Sequence, residues 1–286
     1  MPASALAQTT TEATAETTTL REPPTTSITA AGQAAPPAPA RPIPQLDERT
    51  AHMVGRHTLK LGILAFEYGI IQHLSVGSDP PAWLLRTVAD VWVPNLHGKF
   101  QFLDRDPVWL AVQAAAYFAH LKSDGVESGN LFVVPLSLYA SVRVHPQVQL
   151  HGELTYVYAR LFGSGNLTDA QLNGAAVSRA LQTGLMLQVR LTRIFSLTAT
   201  GRVQAYVSDV PFSGGGTLDP FTSADLNGQY TIKVQHPWEA IGGIAVLWKH
   251  FHLIVGAGYG NYFVPGMDIS NPKKTFIPDV SLAVVL

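Results

Sequence analysis

From residue 57 onward, hydrophobic and polar residues alternate along the chain with a period of two, and the cleanest stretch is Leu131 to Val144. There Phe132, Val134, Leu136, Leu138, Ala140, Val142 and Val144 fall on one face, and Ser137, Tyr139, Ser141 and Arg143 on the other. Successive side chains of a strand point to opposite faces, so this segment is a strand with one apolar side. After the turn His145-Pro146-Gln147 the pattern resumes: Val148, Leu150, Leu154, Tyr156 and Tyr158 oppose Gln149, His151, Glu153 and Thr155. The two segments predict a hairpin. Leu181 to Leu191 alternates against Gln182, Gly184, Met186, Gln188 and Arg190, and Phe195 to Val207 against Ser196, Thr198, Thr200, Arg202, Gln204 and Tyr206. A further hairpin runs from Ala240 through Lys249-His250 to Phe263, and Val108 to Phe118 alternates against Trp109, Gln113 and Tyr117.

These segments run about 10 to 15 residues, against roughly 5 to 6 for strands of soluble sheets, and the longer figure suits a tilted crossing of a bilayer. The connections divide into two classes. Phe66–Gln72, Leu103–Pro107, Val144–Gln147, Thr192–Phe195 and Lys249–Phe251 are short; Lys122–Asn130, Phe162–Ser178, Ser208–Pro237 and Val264–Thr275 read as long, polar loops. Membrane barrels divide their periplasmic turns and extracellular loops in this way. Tyr156, Tyr158, Trp238, Trp248, Tyr259 and Phe263 fall towards strand ends, where an interfacial girdle belongs.

The expected fold is therefore all-β: a transmembrane, antiparallel, up-and-down β-barrel over residues 49–286. Counting back from a last strand at Phe276–Leu286 gives about eleven segments, with the one at Thr58–Phe66 heading to a periplasmic turn. Even parity asks for one more strand, placed at Arg49–Val54 with a turn at Gly55-Arg56; this makes about 12 strands, with 10 as the fallback. Closure removes the strand edges that an open sheet could not leave unpaired in lipid.

Composition changes the picture in three ways. Charged residues make up 14% of the chain, yet no apolar run is long enough for a spanning helix, so a helical membrane protein is excluded. The net charge of −1 leaves no basic surplus for nucleic acid. The chain has no cysteine, which removes disulfides, thiolate metal sites and cysteine nucleophiles together. Before the barrel, Ala5-Leu6-Ala7 followed by Gln8 fits a signal-peptidase site, making residues 1–7 the remnant of a signal peptide. Residues 8–48, rich in Thr, Ala and Pro, lack core-forming residues and are expected to be a disordered linker.

The segment Glu67-Tyr68-Gly69-Ile70-Ile71-Gln72-His73-Leu74-Ser75-Val76-Gly77, the run Pro94-Asn95-Leu96 leading to Lys99, and the C-terminal strand resemble those of uncharacterised, porin-like bacterial outer-membrane β-barrel proteins. The resemblance covers about residues 50–286, although Leu286 stands where many such barrels end in an aromatic. It implies a bacterial outer-membrane location, with outer-membrane lipid, lipopolysaccharide and the barrel assembly machinery as partners.

The polar faces put Lys60, Lys99, Arg143, His151, Glu153, Arg190 and Arg202 in the lumen as candidate lining residues, joined by Glu239, Lys249, His252 and Asp279. Basic groups lead slightly, which suits either an aqueous path with a mild preference for anions or a set of paired charges that plug a narrow barrel. His151 and Glu153, two apart on one strand, could meet Ser137 or Ser141 of the preceding strand in a hydrolase site. Lumenal hydrogen bonding is the preferred reading, and no catalytic residue is assigned. The ten histidines form no metal motif, and Gly256, Gly258 and Gly260 lie inside a strand rather than before a helix, so no metal or cofactor is expected. The leading expectation is a narrow channel for small solutes or a structural barrel. An outer-membrane enzyme acting on lipid or lipopolysaccharide and a soluble lipocalin-like barrel are the rivals.

Overall fold

The computed structural model describes residues 46, 49–83, 91–123, 126–167, 170–208, 210–217, 225–232 and 236–286. The expected signal remnant and nearly all of the expected linker lie outside these residues. Fourteen strands follow in order: β1 (Leu59–Gly62), β2 (Phe66–Ile71), β3 (Leu74–Ser78), β4 (Asn95–Arg105), β5 (Val108–Ser123), β6 (Val126–His145), β7 (Val148–Leu167), β8 (Ala170–Arg190), β9 (Phe195–Val207), β10 (Val210–Thr217), β11 (Asp225–Ile232), β12 (Trp238–Trp248), β13 (Phe251–Phe263) and β14 (Ser270–Val285). Each of β1 to β9 pairs antiparallel with its neighbour, β9 pairs with β12, and β14 returns to pair with β1. The result is a closed ring of twelve strands, from which the β10–β11 hairpin branches beside β8.

The two faces of the wall are inverted relative to a soluble barrel. Leu136, Leu185, Ile244 and Val255 are about half exposed on the outside, while Ser141, Thr155, Gln182 and Gln188 are buried within. Apolar side chains turned outward have no favourable solvent except hydrocarbon, and a closed ring pairs its backbone groups internally, as that solvent demands. The chain is thus a transmembrane β-barrel of the outer-membrane type. Among the described residues no helix is long and apolar enough to cross a membrane, so crossing is the work of strands.

Wall height is uneven. At about 3.4 Å per residue, the 20 residues of β6 or β7 reach about 50 Å above their turn even at a 45° tilt, well beyond a ~30 Å hydrocarbon core. The expected loops Lys122–Asn130 and Phe162–Ser178 are therefore largely strand: β6 starts at Val126, β7 reaches Leu167 and β8 starts at Ala170. Past the bilayer both faces meet water, so the ladder continues without the alternation that marks it in sequence. Ser208–Pro237 likewise contains the β10–β11 hairpin rather than loop alone.

The expected first strand at Arg49–Val54 is not a strand. That segment lies inside the barrel, with Thr50, Ala51, His52 and Val54 all at most 4% exposed. The twelfth strand is instead β2, in a region read as a connection: Phe66–Ile71 pairs with β1 on one side and β3 on the other. The β2–β3 hairpin falls on the strand-turn-strand that carried the sequence resemblance. The girdle needs one correction as well: Trp248 and Tyr259 face outward, but Phe263 is 1% exposed and lies beneath the Arg202 guanidinium, 4.8 Å from its ring centroid.

Candidate functional site: an interior chamber

Leu46 and the segment Arg49–Gly55 lie within the lumen near the short-turn end. Leu46 packs on Ala245 and Leu247 of β12, with Met186 of β8 and Ile254 of β13 beside them. Arg49 reaches Glu239 of β12 at 3.8 Å. On the opposite wall the Ala51 N–H donates to Ser141 Oγ of β6 (2.9 Å), Gln101 Nε2 of β4 donates to the Ala51 carbonyl (2.9 Å), and Lys99 Nζ donates to the His52 carbonyl (2.7 Å). The His52 ring packs edge-on to Trp109 of β5 and His151 of β7. The chain leaves the lumen past Gly69, where a Cβ would lie 2.0 Å from the Gly55 carbonyl oxygen, so no larger residue fits. A segment without secondary structure is tolerated at membrane depth because the lumenal side chains satisfy its peptide groups.

A second closure lies above. Residues 79–83 and 91–94 between β3 and β4 and the β13–β14 connection turn inward, and Ala82, Val93 and Met267 pack on Tyr117 and Ala119 of β5, Val133 of β6, Val157 of β7 and Ala180 of β8. The Asp79 backbone N–H donates to Asn95 Oδ1 (2.6 Å), while the Asp79 carboxylate accepts the Tyr117 hydroxyl and lies 3.3 Å from His97 Nδ1. Gly266, with φ near +79°, brings the β13–β14 connection so close that a Cβ would meet the Tyr117 hydroxyl at 2.3 Å. Between the plug and these connections lies a chamber of about 350 Å³, within the usual range for small-molecule sites.

Charge in the chamber centres on Arg202 of β9, whose side chain is 1% exposed. It faces Asp268 at 2.6 Å, Glu153 at 3.2 Å and Glu239 at 3.4 Å, and Asp268 also accepts Gln182 on its carbonyl. Three carboxylates thus share Arg202 and the more distant Arg49. Burial raises the Asp268 carboxyl above the ordinary aspartate range, against the pull of Arg202.

The candidate lining residues divide by height. Lys60 (1% exposed), Lys99, His151, Glu153 and Arg202 are buried and face inward, together with Glu239, while Asp279 borders the chamber. Arg143 and Arg190 sit instead at the short-turn rim, the first paired with Asp106 at 2.8 Å over the Trp109 ring, the second bonded to the Thr192 carbonyl. Lys249 is exposed in the β12–β13 turn. The sequence reading missed Glu67, Asp79 and Asp268 as lumenal groups because Glu67 and Asp268 lie in segments that read as connections and Asp79 in one to which no strand is assigned. Their inclusion reverses the expected basic surplus: six carboxylates and two cationic side chains line the chamber. Adding Lys60 and Arg202 behind them still leaves an acidic excess of two.

Ser141 and His151 do meet, Oγ to Nδ1 at 2.8 Å, as cross-strand partners of β6 and β7. Glu153 cannot serve them as the acid of a triad, being bonded to Arg202 and Thr155, and Ser141 Oγ is held by the plug. The pair is an anchor for the plug. Among the described residues no cluster of His, Asp and Glu is disposed to hold a metal ion.

No family model matches the chain, and no curated protein sequence is significantly similar to it. Solved structures with a similar course include the translocator domain of the autotransporter NalP from Neisseria meningitidis, 8% identical over 80% of this chain and 84% of that one, with a TM-score of 0.46. The CymD monoaromatic hydrocarbon channel is 9% identical over 82% and 87%, with a TM-score of 0.43. OmpT, an outer-membrane protein of Vibrio cholerae, is 14% identical over 77% and 62%, with a TM-score of 0.36. The assignment of the fold rests on the strand pairing and the apolar exterior described above.

Proposed function

We propose that this barrel is a plugged conduit for a small solute in the bacterial outer membrane, with Leu46 and residues 49–55 as the plug and the chamber above them as the solute's resting place. The supporting observation is how the plug is held: polar side chains of the wall, Lys99, Gln101 and Ser141, grip its backbone across the lumen. Hydrogen bonds of this kind exchange readily for water, whereas a purely apolar plug would be anchored by desolvation. Lipid and lipopolysaccharide surround the wall in this reading, and the barrel assembly machinery inserts it.

The test is conductance in planar bilayers of the full chain and of the Lys99→Met/Gln101→Met double variant. A hydrogen bond from a charged donor contributes about 1.5–3 kcal/mol and a neutral one about 0.5–1.5, so removing both is expected to raise the open fraction at least about tenfold. A potassium chloride gradient should give a cation-selective reversal potential, following the acidic excess of the chamber. Equal silence from both proteins, with insertion verified, would refute the conduit.

A further inference from the structure

The wall has a gap that the barrel's closure hides. β1, β2 and β3 have 4, 6 and 5 residues, whereas β14, which closes on β1, has 16. Only Ala283, Val284 and Val285 of β14 have partners in β1, and the last bond across that seam runs from the Ile63 N–H to the Leu282 carbonyl. From Val280 up to Phe276 no described strand lies alongside β14 on this side. A strand needs about 9–11 residues to cross the hydrocarbon layer, so the missing wall lies within the membrane.

Two observations show that the gap leads into the chamber and that the chain is fitted to it. Ile277 and Asp279 face the lumen, opposite the inward Gly258 and Gly256 of β13, while Pro278 and Val280 face outward. All four nevertheless border one chamber, together with Leu64 and Ala65 of the β1–β2 turn, so that chamber reaches around the edge of β14. The second observation is Pro278 itself. The Val285 N–H points to His250, before β13, so in an unbulged strand the odd-numbered amides point that way and the even-numbered ones towards the gap. Pro278 therefore removes a donor from the free edge, where an unpaired N–H in lipid would be costly and would invite a foreign strand.

Resting on the reading of the chamber as a solute site, we propose that its solute is a single-chain amphiphile with a cationic head, which passes between chamber and bilayer through the gap above the β1–β2 hairpin. The apolar tail lies along Leu64, Ala65, Pro278 and Val280, and the head meets the acidic excess to which Glu67, Asp79 and Asp279 contribute. In a low-dielectric cavity that excess favours a cation and disfavours an anion.

Because the chain has no cysteine, single thiols report without background. Full-length variants Ile277→Cys (inward, at the gap), Ser137→Cys (inward, far wall) and Val112→Cys (outward) are reconstituted in phosphatidylcholine vesicles and exposed to a maleimide tethered to a lipid. Labelling at 277 within about tenfold of that at 112, with none at 137, is expected. No labelling at 277 while 112 reacts means a sealed wall and overturns the lateral route, whatever the conductance of the double variant. Dodecyltrimethylammonium should then slow reaction of the thiols at 277 and 137 with a small water-soluble maleimide at least about fivefold, whereas tetramethylammonium and dodecyl sulfate should not. Protection by dodecyl sulfate, or by none of the three, overturns the ligand class. Because a thiol at 277 could disturb β14, Asp279→Cys, also inward at the gap, serves as a second position for the lipid-maleimide labelling under the same criteria.

Discussion

Replacing Arg202 with leucine is expected to destabilise the barrel by about 3–5 kcal/mol, the range for removing one partner of a buried charge network. The guanidinium lies within 3.4 Å of the carboxylates of Glu153, Glu239 and Asp268, all nearly sealed from solvent. Without it three carboxylates face one another with only the more distant Arg49 to oppose them, and the β13–β14 connection loses its strongest tie to the wall. The measurement is the urea midpoint of the barrel in lipid vesicles, followed by heat-modifiable migration. Changing Glu153→Gln, Glu239→Gln and Asp268→Asn in the same chain should recover most of the loss, since the carboxylates rather than the missing side-chain volume are the source. An unchanged midpoint for the single variant would mean that these charges are not buried together.

The second large effect concerns the outer face. Leu185 is 59% exposed on β8, five residues from its short-turn end at Arg190 and so about 12 Å above it along the membrane normal. That height is near the bilayer midplane, where arginine on a lipid-facing strand position costs about 2–4 kcal/mol. Leu185→Arg should therefore lower the vesicle-measured stability by that amount. On a water-facing surface the same change would fall within about ±0.5 kcal/mol, so a neutral result would place this face in water.

What could be read from the sequence followed one physical signal, the contrast between hydrocarbon outside and polar groups inside. Where both solvents are present, as along Leu131–Val144 and Val148–Tyr158, the alternation identified the strands and their faces and left Ser137 or Ser141 as a neighbour of His151, of which Ser141 is the partner. Where one solvent is missing the signal fails. Beyond the bilayer, β6, β7 and β8 continue through polar sequence that reads as loop. In β2, only six residues long and passing the plug at Gly69, the chain reads as a turn. The strand expected at Arg49–Val54 rests on a periplasmic N-terminus and an even strand count, with no alternation behind it, and the segment is lumenal. The acidity of the chamber was hidden for a related reason: Glu67, Asp79 and Asp268 lie in segments that periodicity assigns to no face.

The plug touches opposite sides of the ring, Leu46 and Arg49 against β12 and Ala51 and His52 against β4 to β7. It is therefore a cross-brace as well as a stopper, tying walls that below the inward connections are otherwise joined around the circumference. Any effector that empties the lumen must also release the brace. Conductance and rigidity then lie on opposite sides of a single equilibrium, and among variants of the plug's anchors the most conductive should melt first.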